Sequence, residues 1–158
     1  MSDERKENIL QKLTETRQAL FDFARSLGPE EWTQPVYIHD REWTAADVLR
    51  HLTDAERGMM GTMQKIRETG KGVPEDFDLD RWNASRVAKM QDMMPAELLA
   101  EMEQNREALL AFVDDLAEKE WDKAGRHASL RIMTLEEILQ RIADHEQEHL
   151  ADMRAALV

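Results

Sequence analysis

The chain has 158 residues, 42% of them hydrophobic and 34% charged, with a formal net charge of −12 and no cysteine. That length suits one domain with a real core, the charge argues against a phosphate backbone as partner, and no apolar run approaches the roughly 18 residues a bilayer span requires. Without cysteine there are no disulfides, thiolate ligands or protein thiol nucleophile, so a metal needs His, Asp or Glu, and thiol chemistry needs a thiol from outside.

The opening "MSDERKENIL" is polar and lacks a signal-peptide apolar region, which points to the cytoplasm. Ile9, Leu13, Leu20, Phe23 and Leu27 then recur at three-and-four spacing, with Thr16 in the remaining slot, and predict a first helix stopped by Gly28-Pro29. Thr44, with Asp47 three residues on, reads as the cap of a second helix. Its stripe is Val48, Leu52, Ala55, Met59, Met63 and Ile66, ended by Gly70 and Gly72. Gly58 lies inside it with Thr62 one turn on, and a mid-helix glycine costs about 1 kcal/mol relative to Ala. Substrate space or close approach of a neighbouring helix would compensate. The next 25 residues, 70–94, are longer than the roughly 2–8 of a tight bundle connection, so they predict a crossover carrying a short helix near Asp80 to Lys89. Pro95 opens a third helix through Leu98, Met102, Leu109, Phe112 and Leu116, with Asn105 in one core slot. Thr134, with Glu137 behind it, opens the fourth.

The halves align. "ALFDFARSLGPEEW", ending at Trp32, matches "ALLAFVDDLAEKEW", ending at Trp121, and "TAADVL" from Thr44 matches "TLEEIL" from Thr134, at offsets of 89 and 90. Any two amphipathic hairpins share some pattern, but here even the polar slots Thr16 and Asn105 correspond. Neither helical pair could bury its stripe alone, so the reading is all-α: a four-helix bundle of two related hairpins joined by a long crossover, residues 1–158 forming one domain.

In "ILQRIADHEQEHLADM" the fourth helix places His145 and His149 in core slots. Spacing of four puts both imidazoles on one face within reach of one ion. "HEQEH" also satisfies H-E-x-x-H, but only nine residues follow His149 and the metzincin continuation is absent, which disfavours a peptidase. Glu146 and Glu148 then read as solvated flanks. Of the remaining histidines only His51 lies in a helix; counted from the cap threonines, His51, His145 and His149 share a face of the repeat, which makes His51 the third candidate ligand. His39 and His127 fall in the equivalent loops and read as surface residues. Trp32, Trp43 and Trp121 read as anchors pinning the loops, and Asn105 as a group that could orient a ligating imidazole.

"EWTAADVLRHLTDAERG", "FDLDRWN" and "TLEEILQRIADHEQEHLADM" together resemble the DinB-like (damage-inducible B, YfiT-type) family of metalloenzymes, over nearly the whole chain. The resemblance implies a four-helix bundle in which one His of the second helix and an H-x-x-x-H pair of the fourth bind a divalent metal, here His51, His145 and His149. It also implies transferase or isomerase activity using a low-molecular-weight thiol such as bacillithiol or mycothiol.

Three imidazoles leave an ion an open position for water or thiol, unlike a closed structural zinc site, and imidazole suits zinc, nickel, iron and copper alike. The expectation is a metal-dependent enzyme, thiol-dependent or hydrolytic, acting on a small molecule, with no nucleic acid or membrane partner and with room for a homodimer. The competing reading is a non-catalytic bundle serving dimerisation or regulation.

Overall fold

The structure is a computed structural model that describes residues 2–157. Helix α1 (Ser2–Ser26) is followed by a single turn α2 (Pro29–Trp32), strands β1 (Pro35–Ile38) and β2 (Arg41–Thr44), and helix α3 (Ala45–Thr69). The crossover carries α4 (Leu79–Lys89). Then come α5 (Pro95–Asp115), a 3₁₀ turn (Glu118–Asp122), strands β3 (Ala124–Arg126) and β4 (Ile132–Thr134), and α6 (Leu135–Ala156). The four long helices are the four predicted ones. Thr44 accepts from the Asp47 N–H (3.1 Å) and Thr134 from the Glu137 N–H (3.1 Å), each closed into a capping box by the acidic side chain reaching back.

Around the bundle, α6 packs between α1 and α3, and α5 packs on α3 and more lightly on α1. Helices consecutive within one half, α1 with α3 and α5 with α6, are therefore diagonal partners rather than neighbours. The connections between them span the bundle end. Both contain an antiparallel β-hairpin where the sequence suggested only a loop. These strands of three or four residues are too short for alternation to declare itself. They nevertheless follow the repeat: the Ala45 N–H donates to the Gln34 carbonyl (3.0 Å) and the Leu135 N–H to the Lys123 carbonyl (2.9 Å), the same closing bond in each half.

The buried apolar side chains form two clusters. One contains Leu20, Val36, Leu49, Leu98 and Leu150; the other contains Leu13, Met63, Leu109, Trp121 and Ile138. Between them lies a buried charged layer with one residue from each long helix: Arg17, Glu56, Arg106 and Glu146. Arg17 and Arg106 are 89 apart and Glu56 and Glu146 90 apart, so the layer also follows the repeat. Arg106 donates to Glu56 (2.9 Å), Glu146 (3.1 Å) and the Leu13 carbonyl (2.8 Å); Arg17 donates to Glu56 (2.7 Å), Glu146 and the Met102 carbonyl (3.0 Å). Burial opposes the Arg106 charge, but the two carboxylates outweigh it and raise the guanidinium pKa.

Two contacts fix the crossover. The buried Arg50 guanidinium donates to the carbonyls of Met90 (3.0 Å), Gln91 (3.2 Å) and Met93 (3.0 Å), satisfying acceptors just beyond α4. The Val73 N–H donates to the Arg126 carbonyl (2.9 Å), and a Cβ on Gly72 would lie 1.8 Å from that oxygen, so only glycine fits. Gly58 is different: it is exposed, and a Cβ there would meet nothing within 4 Å. The close helix approach considered for it is absent.

Candidate metal centre

The capping box at Thr44 starts α3 so that His51 falls in its second turn, facing α6, while α6 presents His145 and His149 one turn apart. The three rings converge. His145 Nε2 lies 3.0 Å from His51 Nε2 and 3.0 Å from His149 Nε2, with the ring planes nearly perpendicular at 79°, 84° and 83°. His51 and His149 are buried, 6% and 8% exposed, and His145 is half-buried.

Burial holds all three neutral. It pushes the His51 pKa down to about 3, helped by the neighbouring His149 and the Arg41 charge. It also drives His145 well below the ordinary range and lowers His149, the last against a pull from Asp152. The Asp152 carboxylate sits 3.2 Å from His149 Nδ1, where it accepts that proton and leaves a lone pair on Nε2. One proton on His145 Nε2 cannot serve two nitrogens that both approach to 3.0 Å. A cation among the three lone pairs satisfies all of them, since bonds of about 2.0–2.1 Å at tetrahedral angles separate the nitrogens by roughly 3.3–3.4 Å. The donor set fits a divalent ion.

Trp43 belongs to this site rather than serving only as an anchor. Its ring packs on His51 (centroids 5.1 Å apart) and carries the Arg41 guanidinium (5.1 Å), which is itself tied to the Asp80 carbonyl (2.6 Å) at the start of α4. Trp32 and Trp121 are buried in the two clusters, as anchors would be.

Three expectations need correction. Glu146 is no solvated flank: it is 3% exposed, and its carboxylate is engaged by Thr16, Arg17 and Arg106 in the charged layer. That removes the general base an H-E-x-x-H peptidase would need. Glu148 is exposed, as expected. His127 is not a surface residue either; it is 8% exposed, whereas His39 is exposed in the β1–β2 turn with φ of 55°. Asn105 orients no imidazole, and its buried Nδ2 has no hydrogen-bond partner among the described residues. Thr62 donates to the Gly58 carbonyl (3.1 Å) within its own helix.

A DinB superfamily model matches residues 12–153. No curated protein matches the chain. Among solved structures, YfiT from Bacillus subtilis, described as a probable metal-dependent hydrolase with an unusual four-helix bundle topology, is 21% identical with a TM-score of 0.79, covering 99% of this chain and 87% of its own. The colibactin self-resistance protein ClbS, in complex with dsDNA, is 16% identical with a TM-score of 0.77 and coverages of 95% and 94%. A mycothiol-dependent maleylpyruvate isomerase is 15% identical with a TM-score of 0.73; the match covers 97% of this chain but 60% of that one. At these identities the likeness is one of fold. With a DNA complex among these neighbours, net charge does not suffice to exclude nucleic acid. No helix among the described residues is long and apolar enough to cross a membrane.

Proposed function

The chain belongs to the DinB superfamily, and from that premise we propose that it holds one divalent metal ion on His51, His145 and His149 and is a metal-dependent enzyme acting with a low-molecular-weight thiol on a small molecule. The observation that carries the reading is the convergence of three neutral imidazoles from two helices, each offering a ring nitrogen within 4.8 Å of the others, with His145 Nε2 lying 3.0 Å from the Nε2 of both His51 and His149. When bound, such an ion supplies a Lewis acid that lowers the pKa of a coordinated thiol or water toward neutrality.

The chain's own residues prepare that chemistry. Burial keeps the imidazoles unprotonated, Asp152 fixes the His149 tautomer, and Trp43 braces the His51 ring. With three protein donors the site leaves a coordination position open. The absence of cysteine suits a thiol delivered from outside.

The second reading is hydrolysis with water in the open position, favoured by the description of the YfiT neighbour. Cobalt-substituted protein separates the two. Adding small thiols should produce a thiolate-to-cobalt charge-transfer band; silence with several thiols, in protein that takes up one cobalt per chain, moves the assignment to hydrolysis. A chain that takes up no metal overturns both.

A further inference from the structure

The crossover helix α4 has little apolar attachment to the bundle. Of its eleven residues only Val87 is buried, and Asp80, Arg81 and Trp82 in its first half are exposed. Arginines hold it instead. Arg50 of α3 donates to the carbonyls just beyond it, Arg86 of α4 donates to the buried Asp54 of α3 (2.9 Å), and Arg41 of β2 grips its first turn through the Asp80 carbonyl (2.6 Å) and carboxylate (3.3 Å). The Arg41 clasp differs from the other two in what stands behind it. Its guanidinium lies on the Trp43 ring and that ring lies on the His51 ring, each at 5.1 Å, so an unbroken line of contacts runs from α4 to a candidate ligand. His51 depends on such a contact more than His149 does. Asp152 orients His149 by accepting its Nδ1 proton, whereas an indole offers only a donor and orients an imidazole by packing. Trp43 is itself half-buried, so its place depends on the cation that covers it.

We propose that Arg41 is a positioning residue that couples the docking of α4 to the orientation of His51. With α4 seated, Arg41 is fixed by Asp80 and holds Trp43 against the imidazole; with α4 released, the indole loses its cover and the His51 ring is free to turn. The coupling is reciprocal by linkage: whatever factor α4 docking adds to metal affinity, the bound ion adds to α4 docking. Groups that orient a metal-bound histidine from outside contribute about 10–100-fold in affinity, which sets the size expected. Only this consequence for the ion rests on the metal reading; the coupling of α4 to His51 does not.

The test begins with a double-mutant cycle in metal-free full-length protein. Val87→Ala loosens α4 at its one buried side chain, and Arg41→Met keeps an aliphatic stem while removing the charge and the donors. Opening of α4 is read from amides whose hydrogen exchange does not respond to low denaturant, and the His51 ring from long-range 1H–15N spectra. Arg41→Met should speed exchange in α4 about tenfold, through loss of a charge-assisted hydrogen bond. Val87→Ala should displace the His51 ring signals in the native background and leave them in place in the Arg41→Met background. An equal displacement in both backgrounds, or none in the native one while α4 exchange rises, overturns the coupling. A second arm loads the protein with cobalt. Loading should slow local exchange in α4 about tenfold or more, and Arg41→Met should weaken cobalt affinity by a similar factor. Cobalt uptake that changes neither also overturns it. Failure to take up cobalt sinks the metal reading alone, and the metal-free cycle still decides this one.

Discussion

Replacing Arg106 by methionine is the sharpest perturbation of the bundle, because it removes one charge from a closed set of four. In the native layer Arg106 and Arg17 each contact both Glu56 and Glu146, and all four side chains are buried or nearly so. The variant leaves two buried carboxylates facing one guanidinium. Breaking a buried pair in this way costs about 3–5 kcal/mol, because the surviving charge has lost its partner but not regained water. For a chain of this size each kcal/mol moves the melting temperature by about 2–4 °C, so Arg106→Met should melt roughly 6–20 °C below the wild type by circular dichroism at neutral pH. Arg17→Met/Glu56→Leu/Arg106→Met/Glu146→Leu, which removes every charge together, should match or exceed the wild type. As a control, Arg25→Ala breaks a pair in which both side chains are more than half exposed and should cost under about 1 kcal/mol. If Arg106→Met melts within about 2 °C of the wild type, the layer is hydrated in solution and the desolvation argument is wrong.

The metal reading predicts that His145→Leu/His149→Leu abolishes metal uptake while leaving the metal-free protein at least as stable as wild type, because aliphatic side chains then fill a core stripe; unfolding of that variant would refute the packing argument. His51→Ala should weaken metal affinity strongly and His39→Ala should not, by equilibrium dialysis; the reverse order would displace His51 as third ligand. His51 has a folded pKa of about 3 against an ordinary 6.5, so the unfolded chain binds its proton first. From this residue alone metal-free protein should lose about 1.4 kcal/mol per pH unit as pH falls below 6.5, down to about 3, and denaturant titrations of the triple histidine variant should show a flatter profile between about pH 7 and pH 5. Gly72→Ala should be severely destabilising because its Cβ meets backbone, whereas Gly58→Ala should gain up to about 1 kcal/mol; equal melting temperatures would contradict both.

What the sequence displayed was whatever periodicity and local chemistry encode. The four long helices, their two capping boxes and the crossover helix follow from stripe spacing, Thr-x-x-Asp/Glu and connection length. His51, His145 and His149 were legible because imidazole in a core stripe conflicts with its surroundings, and the repeat placed all three on one side. The charged layer was hidden for the opposite reason. Arg17, Glu56, Arg106 and Glu146 each sit beside the stripe, where a charge usually means solvent, and only partners 39 to 130 residues away in sequence turn them inward. A signal did exist: both arginines and both glutamates recur at the offsets that align the halves. His127 reads as a surface loop residue because it directly follows a three-residue strand that hardly differs from a loop, while its burial at 8% exposure comes from the tertiary fold, which no local pattern encodes.

The same repeat shows how an asymmetric site arises from a symmetric scaffold. Applying the offset of 90 to His51 gives Arg141, and removing it from His145 and His149 gives Ala55 and Met59. The charged layer is thus duplicated while the donor set is not, as expected if each half must bury its own charges but one ion needs only one set of ligands. His145 and Glu146 are consecutive residues of α6 facing opposite duties, one toward the donor cluster and one into the layer. Because Glu146 is bonded to α1 and α5 at once, it fixes the rotation of α6 about its axis, and hence the direction in which His145 and His149 point. A rotation of one residue, about 100°, would carry both histidines away from His51. The buried charges therefore have a role in the site that their net worth in stability does not measure: they select the register in which three imidazoles can meet.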